Sequence, residues 1–435
     1  MNRPQPIGVG LLGLGVVGGG VARALLCKKD WLAARIGAPL ELRKALVRDP
    51  SKLRDPLFPS GLLTSNPADV LVDPVIQVVV ELMGGEEPAA GYIRTALECG
   101  KDVVTANKEV MAKMGPSLLA AAEGSGRSLL FEGAVGGGIP IIGPLMKDLL
   151  ANRIHSVHAI INGTTNFILS NMEDQGMDGA AALKLAQELG YAEADPTNDV
   201  EGIDAAYKLA ILATLAFHSW VHPDQIFREG ISRLDARDFR YANELGYSIK
   251  LLAIARQQGQ GIEARVHPAL IPQGHVLAKV GGAFNAVEVE GDLAGRTVFH
   301  GQGAGSEPTT SAVVGNLVEL GRWIACGGRP LVIIPPDGTL EVLPMTELET
   351  SYYYRLTAPD RAGVLAQIAS VLGGLNISIA SVIQKDTDSQ RQTAELVITT
   401  HPAKEAAVRE SVALLTGLDV VETVDNLIRV EELPA

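Results

Sequence analysis

At 435 residues the chain is long enough for two or three domains, and 47% hydrophobic against 20% charged residues describes sizeable cores with a wetted surface. A formal net charge of -13 with no long basic run argues against nucleic acid and anionic membrane surfaces as partners. No apolar stretch has the length of a membrane span, and three scattered cysteines (Cys27, Cys99, Cys326) fit a reducing cytoplasm better than secretion.

The N-terminal apolar run is short and glycine-rich, unlike a signal peptide. Ile7 to Leu12 reads as a buried parallel strand. Gly13, Gly15 and Gly18 then form G-x-G-x-x-G, and a helical pattern continues through Leu26. Strand, glycine turn and helix in that order predict a dinucleotide site, with the pyrophosphate at the helix N-terminus. Leu14, Val16 and Val17 belong to the same turn. Lys28 to Pro39 reads as an extension before the second strand, Leu40 to Val47. Beyond that strand Asp49 is placed to take a ribose hydroxyl, or Arg48 and Lys52 a 2′-phosphate. The reading leans to NADP, with NAD usable.

Strand and helix patterns then alternate. Val75 to Leu82 is a strand ending in Met83-Gly84-Gly85, Glu87 to Cys99 a helix, and Asp102 to Thr105 a strand. Ala106-Asn107-Lys108 leads into a helix through Glu123, and Ser128 to Phe131 is a further strand. Such alternation predicts a doubly wound parallel sheet with its ligand at the carboxyl ends of the strands, where Met83, Gly84 and Lys108 fall. The glycine-rich run from Glu132 to Pro140 reads either as a hinge between domains or as an oxygen-ligand loop for a hard cation.

Ile154 to Ile161 is a strand leading to Asn162-Gly163-Thr164-Thr165-Asn166 and a helix. A polar loop, Gly190 to Pro196, precedes Asp199 to Phe217, read as one helix. Its second half is apolar on every side, hence buried. Asp204 and Lys208 are four residues apart and share a face. A lysine there is pulled towards neutrality by desolvation and towards its charged form by carboxylates, which suits a proton-transfer group. A structural ion pair is the plainer alternative. Tyr247 to Ala255 and Ile262 to His267 are regular but less clearly typed, and Val287 to Glu290 and Thr297 to His300 read as short strands. Gly301 to Ser306 turns into a helix ending near Ile324.

Cys326 to Glu349 loosens into a linker. Then Tyr352 to Thr357, a helix from Asp360 to about Leu372, strands Ile377 to Gln384 and Thr393 to Thr400, a helix Lys404 to Leu415 and a strand Val420 to Val430 spell βαββαβ.

In six segments the sequence resembles homoserine dehydrogenase carrying a C-terminal ACT domain: GLGVVGGGV, VVTANKE, FEGAVGGGIPII, NGTTNFIL, GYAEADPTNDVEGIDAAYKLAIL and GQGAGSEPTTSAVV. The resemblance covers nearly the whole chain and implies the NAD(P)-dependent interconversion of L-homoserine and L-aspartate 4-semialdehyde, on the route to threonine and methionine. It implies an α/β fold: a Rossmann-type domain (1–133 plus 306–325), an α+β catalytic and dimerisation domain with an open sheet (134–305), a linker (326–349) and an ACT domain (350–435). Lys208 and Asp204 match the catalytic pair, and Lys108 a second lysine at nicotinamide and substrate. Glu193 and Asp199 match residues that hold homoserine. Thr105 and Gly303 match cofactor contacts. Glu132, with the carbonyls of Val135, Gly137 and Ile139, matches a monovalent-cation site, sodium being the favoured ion.

For the C-terminal module the expectation is feedback control by L-threonine near Asp360, Gly363, Asn376 and Ile377, with a purely assembling module as the alternative. A homodimer or homotetramer is expected, as is the absence of a fused aspartate kinase domain ahead of the nucleotide fold. A thioester-forming aldehyde-oxidising relative is disfavoured by the positions of the cysteines. The rival from another class is a non-catalytic NADP- and amino-acid-sensing protein, which would need neither Lys208 nor Asp204.

Overall fold

Six short apolar segments early in the chain pair into one parallel sheet: β1 (Ile7–Leu12), β2 (Leu40–Leu46), β3 (Leu63–Thr64), β4 (Val78–Glu81), β5 (Asp102–Thr105) and β6 (Leu129–Leu130). Their spatial order is β3-β2-β1-β4-β5-β6. Every residue of β1, β4 and β5 is buried, as strands covered by helices on both faces must be. The order reverses direction between β1 and β4, which opens a crevice at their carboxyl ends. The computed structural model describes residues 5–52, 55–59, 61–328, 336, 338–388 and 392–433.

The chain divides into two units. The first comprises Met1–Val157, Tyr207–Gln225 and Asn285–Leu340, and the second His158–Ala206, Ile226–Phe284 and Glu341–Ala435. In the first unit, the extension after the glycine turn is a helix, Lys29–Ile36, closed by Gly37 at φ +90°. That inserted helix explains the long separation between the glycine motif and β2. The helix Ser306–Ala325 packs on the helices of the nucleotide fold. Ser306 Oγ donates to the Val16 carbonyl and Arg322 Nε to that of Arg35. A Cβ at Gly20 would lie 2.3 Å from Thr310 Oγ1, so the helices pack closely through that glycine.

In the second unit the two weakly typed segments form a long antiparallel hairpin, Tyr247–Gln258 with Gly261–Pro272. The segment read as one helix from Asp199 is broken. A single turn, Thr197–Val200, precedes the helix Ile203–Phe217. Gly202 separates them with φ +73°, a left-handed conformation that interrupts the helix. Asp199 therefore belongs to the short turn, and Asp204 and Lys208 to the helix proper.

The C-terminal module has the expected βαββαβ order. Its strands Glu349–Pro359, Ile379–Asp388, Thr393–Thr400 and Thr423–Val430 pair antiparallel, and the helices Val364–Gly374 and Glu405–Thr416 accompany them. Tyr352, Tyr354, Leu356, Ile368, Leu372 and Val408 lie in its core. The module is not a bead on a string, because its last strand pairs in parallel with Gly261–Pro272 through Ala269↔Arg429 and Leu270↔Val430. A buried ion network reinforces that join: Arg355 Nε donates to Asp238 Oδ1 at 2.7 Å, and Asn426 Nδ2 donates to Asp238 Oδ2 at 2.7 Å. Part of the expected linker, 329–335 and 337, lies outside the described residues. Beyond it Glu341–Val342 pairs with Gly261–Ile262, so this portion is regular structure. Among the described residues no helix is long and apolar enough to cross a membrane.

Candidate active site

The glycine turn is shaped by steric necessity at two positions. Gly13 has φ +98°, and a Cβ there would lie 2.8 Å from the Leu82 carbonyl oxygen. A Cβ on Gly18 would lie 2.3 Å from the Gly13 carbonyl oxygen. Gly15 differs, with open space where its Cβ would stand, so a ligand can approach its backbone. Gly15 is also the N-cap of the helix Val16–Cys27, whose first N–H groups are oriented for an anion. These features fit a bound dinucleotide.

A crevice of about 440 Å³ opens beside this turn. Gly15, Val16, Val17, Met83, Gly84, Lys108, Lys208, Gly137 and Gly303, all singled out from the sequence, line it together. Gly13, Gly18 and the buried Leu14 shape the turn without lining the crevice. Arg48 is exposed just past β2, and Asp49 beside it accepts bonds from the Ser51 N–H and hydroxyl. Thr105 corrects an expectation: it is fully buried, and its hydroxyl donates to Glu81 Oε2 at 2.6 Å, so it supports the wall from behind. Burial pushes the Glu81 carboxyl up, while donors from Thr105, Met83 and Asn107 pull it down. Ala106, Asn107, Gly133, Ala304 and Thr309 also line the crevice without a site role having been foreseen. Asn107 carried a readable signal, an asparagine N-cap, and its Oδ1 accepts from Val110 N at 3.2 Å.

Lys108 opens the helix Lys108–Ser125 and is half-buried. Lys208 retains only 7% exposure at the start of the apolar half of its helix. One turn earlier, in the second unit, Asp204 is equally secluded. Asn162, missed from the sequence, organises the carboxylates there. Its Nδ2 donates to Asp199 Oδ1 at 2.7 Å and to Asp204 Oδ2 at 2.8 Å. Its Oδ1 caps the next helix by accepting from Thr165 N at 2.8 Å, which fixes the amide's orientation. Glu193 is exposed on the polar loop of the same unit, and its carbonyl accepts from Gln187 Nε2.

The Glu132 carboxylate is held by the backbone. Its oxygens accept the backbone N–H groups of Ile141, Ile142 and Gly143 at 2.7–2.9 Å, at the start of the helix Ile142–Met146. Among the described residues no backbone N–H outside regular helices and strands donates to the carbonyls of Val135, Gly137 or Ile139. Nor does any described cluster of three or more His, Cys, Asp or Glu side chains suit a metal. In the C-terminal module Gly363 (φ +87°) is the N-cap of Val364–Gly374, and Asp360 Oδ1 accepts from Gln384 Nε2. Asn376 has φ +58° just before the buried Ile377. Cys27, Cys99 and Cys326 are free and exposed, and none lines the crevice.

Three family models match the chain: homoserine dehydrogenase over residues 140–318, the NAD binding domain of homoserine dehydrogenase over 13–132, and the ACT domain over 355–413. A homoserine dehydrogenase of Mycobacterium tuberculosis is 46% identical over 438 residues, covering 98% of each chain. One of Neisseria gonorrhoeae is 43% identical over 434 residues, covering 99% of each. A solved homoserine dehydrogenase from Thiobacillus denitrificans matches with a TM-score of 0.92 at 46% identity, over 99% of both chains. A hyperthermophilic archaeal homoserine dehydrogenase in complex with NADPH matches with a TM-score of 0.61 at 27% identity, over 72% of this chain and 97% of that one.

Proposed function

The chain belongs to the homoserine dehydrogenase family, and we propose that Lys208 handles the proton and Lys108 orients the reacting alcohol in its NAD(P)-dependent interconversion of L-homoserine and L-aspartate 4-semialdehyde. The observation that carries this assignment is that both lysines line the crevice of the glycine turn. The dinucleotide, when bound, supplies the hydride acceptor or donor. In the oxidative direction the neutral Lys208 amine takes the hydroxyl proton, and in the reductive direction its ammonium returns it to the nascent alkoxide. Asp204, one turn away on the same helix, steadies the charged form of Lys208. Asp199 and Glu193 take the ammonium group of homoserine, with Asn162 holding Asp199 in place.

NADP is the favoured cofactor, with Arg48 taking the 2′-phosphate. A monovalent cation, sodium being favoured, would be held by Glu132 with the carbonyls of Val135, Gly137 and Ile139. Threonine acts on the ACT domain near Asp360, Gly363, Asn376 and Ile377, and the strand Gly295–Gln302, terminal in its sheet, supports assembly of a cytoplasmic homo-oligomer.

A steady-state assay at the absorbance band of the reduced nicotinamide tests the reading. Homoserine-dependent NADPH formation is expected, inhibited by added threonine, and Lys208→Ala should lower kcat by about 10²-fold or more with cofactor binding retained. Near-normal turnover would remove Lys208 from the mechanism. Absence of any homoserine-dependent signal in the parent chain would favour a sensing protein.

A further inference from the structure

Glu81 ends β4 with a fully buried side chain. Its Oε1 accepts the Met83 N–H at 2.7 Å, and its Oε2 accepts the Thr105 hydroxyl at 2.6 Å. Among the described residues the side chains and backbone groups acting most on it are hydrogen-bond donors, from Thr105, Met83, Asn107 and Gly84, and none of these four is a cation. A buried carboxylate without an ionic partner is costly to keep. A wall needing only one acceptor would be served by a neutral side chain, so the full acceptor capacity of a carboxylate requires a reason.

The reason lies in what the donors carry. Met83 belongs to the loop after β4, which lines the crevice. Thr105 ends β5, and its Oγ1 accepts the Asn107 N–H at 3.0 Å. Asn107 Nδ2 in turn donates to the Gly85 carbonyl at 2.7 Å. The bonds therefore close a ring through Glu81, Met83, Gly85, Asn107 and Thr105. Lys108 follows Asn107 directly. The carboxylate bonds both loops, through the Met83 N–H and the Thr105 hydroxyl, and charge-assisted bonds of this kind are short and stiff.

We propose that Glu81 is a positioning residue for hydride transfer, acting through Met83 and Thr105 to fix the Met83–Gly84 wall against the Lys108 amine. It touches neither cofactor nor substrate, and it rests on the assignment of Lys108 made above. Displacing a reacting group by about 1 Å lowers turnover by about 10²-fold, while binding contacts elsewhere persist.

The test uses the full-length chain with saturating homoserine and NADP+, measuring kcat, both KM values and the melting temperature. Glu81→Gln and Thr105→Val should each lower kcat by about 10²-fold, with both KM values within about threefold of the parent. The double variant should be no slower than the slower single variant, since both break one ring. Lys108→Ala is run beside them. Parent-like kcat in Glu81→Gln beside a crippled Lys108→Ala overturns the proposal alone. Parent-like kcat in Lys108→Ala overturns the Lys108 assignment and the proposal with it. Losses that multiply in the double variant, losses confined to KM, or failure of both single variants to fold place Glu81 in stability and overturn the proposal.

Discussion

Arg48 stands exposed just beyond β2, and the Gly13 N–H donates to the Leu46 carbonyl at 3.1 Å, so the glycine turn and the end of β2 are adjacent. A cation in that place meets a 2′-phosphate and finds little on a bare ribose hydroxyl. Asp49 does not compete as openly as its position implies, because its carboxylate already accepts the Ser51 N–H and hydroxyl. Arg48→Ala should raise KM for NADPH about tenfold and leave KM for NADH within about twofold, a charge-assisted contact being worth about 1.5 kcal/mol or more. The difference should shrink at high salt, since the side chain is exposed. Equal effects on the two cofactors would leave the NADP preference without support. The glycine turn, and the shared helix face of Asp204 and Lys208, were legible because their spacing along the chain is their geometry. Thr105 was misread because nothing in its neighbours announces the buried carboxylate of Glu81 behind it.

At the scale of elements, the break at Gly202 matters most. The apolar pattern runs on smoothly from Val200 into the helix, and only the backbone angle at Gly202 separates the turn bearing Asp199 from the helix bearing Asp204 and Lys208. That angle lets one asparagine amide reach two aspartates that a continuous helix would set on different faces. Gly202→Ala should destabilise the chain by about 1–2 kcal/mol, the cost of a left-handed alanine. A new Cβ would also stand 3.2 Å from Val266 Cγ1. KM for homoserine should rise with little change in KM for NADPH, measured by steady-state kinetics beside urea unfolding. An unchanged homoserine KM would show that the placement of Asp199 tolerates the strain.

Across the whole molecule, two buried histidines contribute to the response to acid. Burial, with Arg256, Arg265 and His275 close by, pushes the His158 imidazole down to about 3. His267, fully enclosed near Arg429 and Arg265, is also held well below its usual range. Unfolding returns each to about 6.5. Below that pH the unfolded chain binds the extra protons, so stability is kept above about 6.5 and falls as the pH drops towards 3. Between pH 7 and pH 5 one such histidine should cost about 2 kcal/mol. Denaturant midpoints at the two pH values should converge in His158→Gln relative to the parent. An identical pH dependence in the two proteins would show that His158 is not held neutral.

The sequence by itself determined what depends on neighbours along the chain: the glycine turn after β1, the one-turn spacing of Asp204 and Lys208, the βαββαβ order of the last module, and through the six segments the family. Tertiary structure alone decided which distant groups satisfy one another. The Glu132 carboxylate caps a helix, Glu81 ties two loops, Arg355 finds Asp238, and the module's last strand joins the hairpin at Ala269 and Leu270. Dihedral preference and hydrophobic period repeat at fixed spacing and can be read in one dimension. The partner of a buried polar group is whichever donor folding brings within about 3 Å, and no spacing in the chain encodes it.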